Sequence, residues 1–181
     1  MLGKHKPSDT CCFGKVPLFQ KIRNEKIALA TEFIVEKRMT VINRTALVLH
    51  NAEEMFDLVN DVRRYPEFLP WCSKTEVISE SQDHIEGTLY LSKGGLSYSF
   101  TTHNELVRPT RMRITLVEGP FKSLEGEWTF TPLSDEASKV ELNLSFEFAG
   151  KLTSLAMSKV FNQVATTLVD AFVTRSDQIY T

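Results

Sequence analysis

The residues able to do chemistry in this chain are few, and their spacing argues against a catalytic centre. Cysteines fall at positions 11, 12 and 72. Neighbouring cysteines rarely close a comfortable disulfide and three cannot all pair within one chain, so free thiols in a reducing compartment are expected. No second Cys or His pair stands at zinc-ligand spacing, and no metal is expected. Cys72 follows Trp71 with no general base beside it in sequence, the pattern of a packed thiol more than of a nucleophile. His103 falls on the polar side of a strand with Ser99, Thr101 and Glu105. His50 and His84 fall near strand ends, so all three histidines are expected at the surface. Among the clustered acids, Glu125 and Glu127 alternate outward, and Glu118 in EGPFK is the one acid that could face an interior. The sequence carries no G-x-S-x-G elbow, no H-E-x-x-H pair, no phosphate-gripping glycine loop and no dinucleotide fingerprint. These absences predict a protein that binds without converting, with no catalytic residue and no required cofactor.

What the chain offers for binding is aromatic. RYPEFLPWC, Arg64 to Cys72, sets Tyr65, Phe68, Leu69 and Trp71 around two prolines. Pro66 suits the first turn of a short helix and Pro70 ends it, which makes the segment a compact corner. The elements that must position it are legible on both sides. Val41 to Leu49 is β-branched and apolar, a first strand. Asn51 can cap a helix through Ala52, Glu53, Glu54 and Met55 to about Asn60, with acids in its first turn. Beyond the corner the period becomes two, with weaker strands at Thr75 to Ser81 and Ile85 to Ser92. Leu96, Tyr98 and Phe100, then Met112, Ile114 and Leu116, alternate with polar residues. So do Leu124, Trp128 and Phe130, then Val140 through Phe148. Gly94-Gly95, Arg108 to Thr110 and Ser134 to Ala137 are the turns between them. After Gly150, apolar residues at Leu152, Leu155, Ala156, Val160, Val164, Leu168, Ala171 and Phe172 form one helical stripe. The sum is an α+β arrangement, a curved antiparallel sheet wrapped around a long C-terminal helix.

A strongly bent sheet has more inner surface than one helix fills. Tyr98, Phe100, Phe121, Trp128, Phe130 and Phe146 from the strands, with Val164 and Leu168 from the helix, are therefore candidate lining for a cavity. Tyr65, Phe68, Leu69 and Trp71 are its candidate lid. The competing reading is an ordinary filled core, and composition alone does not separate the two.

Charge divides the chain. Residues 1–38 carry eight Lys or Arg against four acids, and residues 39–181 carry thirteen against nineteen. A domain near −6 lacks the footprint of phosphate binding, so DNA is not expected as a partner. Arg63, Arg64, Arg108, Arg111, Arg113 and Lys122 make a small basic patch the one exception. The first 38 residues lack the later alternation; they are expected to be an extension, disordered or partly helical over Leu18 to Arg38, with the domain starting at Met39. No apolar run reaches the roughly 18–20 residues a membrane span needs. A cytoplasmic protein is expected, with at most transient contact with the inner membrane surface.

Three stretches carry a family resemblance: VRRYPEFLPWCSKTEVI at Val62 to Ile78, LVEGPFKSLEGEWTFTPL at Leu116 to Leu133, and VELNLSFEF before the last helix. Together they resemble the bacterial coenzyme Q-binding and ribosome-association toxin (RatA) family of the polyketide-cyclase, START-like lipid-transfer superfamily. The resemblance spans about Met39 to Tyr180. It implies a helix-grip fold without enzyme activity, and two competing roles. One is binding of a polyprenyl quinone such as ubiquinone in support of respiratory electron transport. The other is binding of the large ribosomal subunit to block subunit joining. The residues favour the first, because an aromatic interior suits an isoprenoid and an acidic domain suits RNA poorly. An aromatase or cyclase ranks third, since it needs polar groups inside the pocket and few can be placed there.

Overall fold

Period-two sequence becomes sheet here because each strand has one apolar face to bury. The computed structural model describes residues 39–149 and 154–180, with side chains of the last helix from Lys159 onward. The strands are β1 (Thr40–Val48), β2 (Cys72–Glu80), β3 (His84–Lys93), β4 (Leu96–Val107), β5 (Arg111–Glu118), β6 (Phe121–Ser134) and β7 (Ala137–Phe148). They form one antiparallel sheet in the order β1-β7-β6-β5-β4-β3-β2. Strands β2 to β7 thus make a meander, and β1 returns beside β7. Helix α1 (Ala52–Asn60) and the corner helix α2 (Tyr65–Phe68) lie between β1 and β2, and α3 (Ser154–Ile179) follows β7. The expected extension over residues 1–38, and Leu152 of the expected stripe, lie outside the described residues.

Local chemistry accounts for the boundaries. Asn51 Oδ1 accepts from the Glu54 amide at 2.9 Å while the Asn51 amide donates to Glu54 Oε2 at 3.0 Å, a reciprocal cap that starts α1 where the sequence predicts it. Gly94 and Gly95, at φ 61° and 78°, supply the left-handed pair that the β3–β4 hairpin requires. Pro66 occupies the first turn of α2, which stops before Pro70. Strand β2 begins at Cys72, three residues before the expected Thr75, and Leu49 falls past the end of β1, 85% exposed.

Helix α3 buries Phe161, Val164, Ala165, Val169 and Phe172 against the sheet, while Val160, Leu168 and Ala171 are half-buried. The buried line is therefore wider than the expected stripe, which missed Phe161, Ala165 and Val169. Its last turns are bolted to the start of the domain. His50 Nε2 meets Asp177 Oδ1 at 2.8 Å, and the Tyr180 hydroxyl donates to the Glu54 carbonyl at 3.1 Å. His50 is consequently buried, against the expectation of a surface histidine, because the C-terminus of α3 covers it.

Candidate functional site

The inward side chains sort into two aromatic clusters with an aliphatic middle. At one end Trp128 stacks on Phe130 at 6.2 Å, and Phe172 meets both Trp128, at 5.5 Å, and Tyr65, at 5.3 Å. Phe56 of α1 closes this end against Phe130 at 5.6 Å. At the other end Phe161 lies 4.6 Å from Phe146, 5.0 Å from Phe121 and 6.0 Å from Phe100. Rings in edge-to-face contact fill space well. Between the clusters, where the wall is mostly leucine, isoleucine, valine and methionine, a cavity of about 90 Å³ remains.

Gly126 occupies an inward position of β6 between Leu124 and Trp128, and Leu144 packs into the space its missing side chain leaves, since a Cβ there would stand 2.9 Å from Leu144 Cδ1. Ala165 is the smallest residue that α3 contributes to the wall. Leu89, Ile114 and Leu168 also line the cavity yet are only half-buried, so the wall is looser there than at either cluster.

Of the expected lining and lid residues, Tyr65, Trp71, Phe100, Trp128, Val164 and Leu168 do line the cavity. The other six lie elsewhere, for a common reason: they pack on other side chains beyond its wall. Phe121 and Phe146 fill the far aromatic cluster, and Phe130 fills the one under α1. Leu69 is fully buried in the core. Phe68 packs outward against Phe172 at 5.3 Å and under the Arg175 guanidinium at 5.5 Å, while Arg175 Nη2 donates to Glu67 at 2.6 Å. Half-buried Tyr98 faces inward, but its hydroxyl meets no partner among the described residues, and desolvation pushes it up to about 12. The proline corner is thus part wall, through Tyr65 and Trp71, and part bolt to α3, through Phe68.

Sequence reasoning missed two polar residues in the wall, Thr102 and Asn104. Both hold even-numbered, inward positions of β4 with Phe100 and Leu106, and both are buried. Extending the Tyr98–Phe100 alternation two more steps would have found them. Asn104 Oδ1 has no hydrogen-bond partner among the described residues. Tyr65 spends its hydroxyl on the Val59 carbonyl at 2.5 Å, and burial raises its pKa far above the ordinary phenol value. Cys72 is buried beside the corner, its thiol pushed from 9.0 up to about 11 by desolvation, which suits packing and not nucleophilic attack. Glu118 is exposed: β5 slips register between its pairings with Thr101 and Thr102, leaving Val117 unpaired and turning Glu118 outward. Among the described residues the cavity wall holds no carboxylate, imidazole, amine or thiol.

The expected basic patch does not assemble. Arg108 is held by Asp57 and by Glu53, the latter at 3.0 Å, on the side of α1. Arg63 pairs with Glu80 at 2.7 Å, Arg64 with Asp61 at 3.3 Å, and Lys122 with Glu147 at 3.1 Å. Arg111 and Arg113 project from the outer face of β5 and form no ion pair among the described residues, although Glu105 and Glu127 stand opposite Arg113 in the neighbouring strands. Four of the six cations are thus tied to local acids, which leaves Arg111 and Arg113 as an isolated pair on β5.

Comparison with known proteins matches residues 48–173 to the family described as polyketide cyclase/dehydrase and lipid transport. The ribosome association toxin RatA of Vibrio cholerae is 49% identical over 142 residues, 78% of this chain and 99% of the relative. Its Escherichia coli counterpart is 44% identical over 147 residues, 81% and 93% of the two chains. A mitochondrial coenzyme Q-binding protein of Xenopus laevis is 28% identical, over 84% of this chain and 64% of its own. The same fold occurs in an aromatase/cyclase from a Streptomyces species, with a TM-score of 0.69 at 19% identity over 80% of this chain and 97% of that one.

Proposed function

Because the chain belongs to the ribosome association toxin family within the polyketide cyclase/dehydrase and lipid transport group, we propose that it acts by associating with the ribosome, without catalysis. The observation that carries this reading is the 49% identity maintained over 99% of the Vibrio cholerae relative. The large subunit is the proposed target, with obstruction of subunit joining as the consequence. The contact proposed is the outer face of β5, where Arg111 and Arg113 stand free of ion pairs among the described residues. Their acidic neighbours make contact with ribosomal protein at least as suitable as contact with RNA phosphates. Among the described residues the cavity wall carries no carboxylate, imidazole, amine or thiol to transfer a proton near neutral pH, which supports a binding role. Sedimentation of cell lysate through a sucrose gradient tests the reading. The protein should travel with large-subunit fractions, and finding it only at the top of the gradient would overturn the proposal.

The cavity supports a second reading, binding of an apolar molecule such as ubiquinone. At about 90 Å³ it is well below the roughly 300–1,000 Å³ of a typical ligand site. Only one end of a long molecule fits unless the wall parts. Organic extraction of the purified protein followed by mass spectrometry should recover an isoprenoid quinone. A protein that yields none and takes up no short-chain ubiquinone analogue would exclude this reading.

A further inference from the structure

Asn104 is 8% exposed, lines a largely apolar wall, and its side-chain oxygen has no hydrogen-bond partner among the described residues. Buried carboxamides are nearly always paired, because an unpaired one loses its hydration without replacement. Leucine at this position would fill the same space at no such cost. Thr102, 5% exposed, adds a second polar side chain to the same wall, two residues along the same strand. The remaining wall includes Leu91, Ile114, Leu124 and Leu144, which offer a ligand only apolar contact.

We propose that the cavity recognises the hydroxyl-bearing end of an amphipathic molecule, a phenol or comparable alcohol, seated on the Asn104 carboxamide with Thr102 beside it. A hydroxyl both donates and accepts, so it satisfies the amide in either orientation. A pure hydrocarbon leaves it unpaired, and a charged head is disfavoured where no counter-ion lines the wall. This inference rests on the apolar-ligand reading and adds the chemistry of the end that enters. An engineered cavity of about 150 Å³ admits benzene, so a ring entering about 90 Å³ displaces wall side chains, and the half-buried Leu89, Ile114 and Leu168 are placed to yield.

The test compares 4-propylphenol with propylbenzene. The chain has two tryptophans, Trp71 and Trp128, and both stand in the wall, so intrinsic fluorescence reports occupancy directly. The full-length protein should bind the phenol roughly tenfold more tightly than the hydrocarbon. Asn104→Leu should erase that preference while raising the melting temperature of the unliganded protein. Equal binding of the two compounds by the wild type, or a preference that survives Asn104→Leu, overturns the hydroxyl inference and leaves the apolar-ligand reading standing. Binding of neither compound overturns both. Should Asn104→Leu not fold, the Asn104 side-chain amide resonance of the wild type decides. A shift with the phenol alone supports the proposal, and equal shifts or none overturn it.

Discussion

The two faces of β5 and β6 do different work. Inward, Met112, Ile114, Leu124, Trp128 and Phe130 pack against each other and α3, and the polar side chains that β4 adds to the cavity wall are Thr102 and Asn104. Outward, Arg111, Arg113, Glu125 and Glu127 stand in water, where ion pairs contribute about 0–1 kcal/mol each. Stability is concentrated on the inner face, so the outer one is free to carry recognition. That difference is the ground for proposing ligand binding on one side of the sheet and ribosome contact on the other.

Substitutions should reproduce the asymmetry. Phe130→Ala removes a ring that is 1% exposed and shared by Phe56 and Trp128. It should cost about 3–5 kcal/mol in denaturant unfolding; a loss near 1 would mean this end of the interior can collapse to fill the hole. Gly119→Ala comes next. At φ +154°, its added Cβ would stand 2.6 Å from Phe100 Cβ, so a loss of about 1–3 kcal/mol is expected by the same measurement. Asn51→Ala removes the α1 cap and should cost about 1 kcal/mol.

A smaller effect appears only in alkali. The folded state holds the Cys72 proton up to about 11, above the ordinary 9.0, so the unfolded chain releases it first. Stability therefore falls as pH rises between those values, and that share of the loss should be missing in Cys72→Ala melts taken across the same window. The smallest stability change belongs to the outer face. Arg111→Glu with Arg113→Glu should stay within about 0.5 kcal/mol of the wild type, and a larger loss would blur the distinction between the two faces.

Alternation and capping made the fold legible before any coordinates, because period two and the Asn51–Glu54 spacing are local signals. The order of the long elements, the β3–β4 glycine turn and the start of α1 all follow from them. The cavity was legible only in part. Rings draw attention in a sequence, yet here rings such as Phe121, Phe130 and Phe146 fill space with one another. The gap lies where aliphatic residues make up most of the wall, and these advertise nothing. Whether Glu118 faces inward was not legible, because a one-residue register slip in β5 decides which side it takes, and such slips leave no local mark in the sequence. The basic patch failed because partners distant in sequence, such as Glu53 and Asp57 for Arg108, become neighbours only in the fold.

The most direct test of this division sediments three proteins through the same sucrose gradients: the wild type, Asn104→Leu on the inner face, and Arg111→Glu/Arg113→Glu on the outer. The account predicts that the first two travel with the large ribosomal subunit while the third stays at the top. A wild type that never leaves the top, or a double variant that still travels with the subunit, would contradict it.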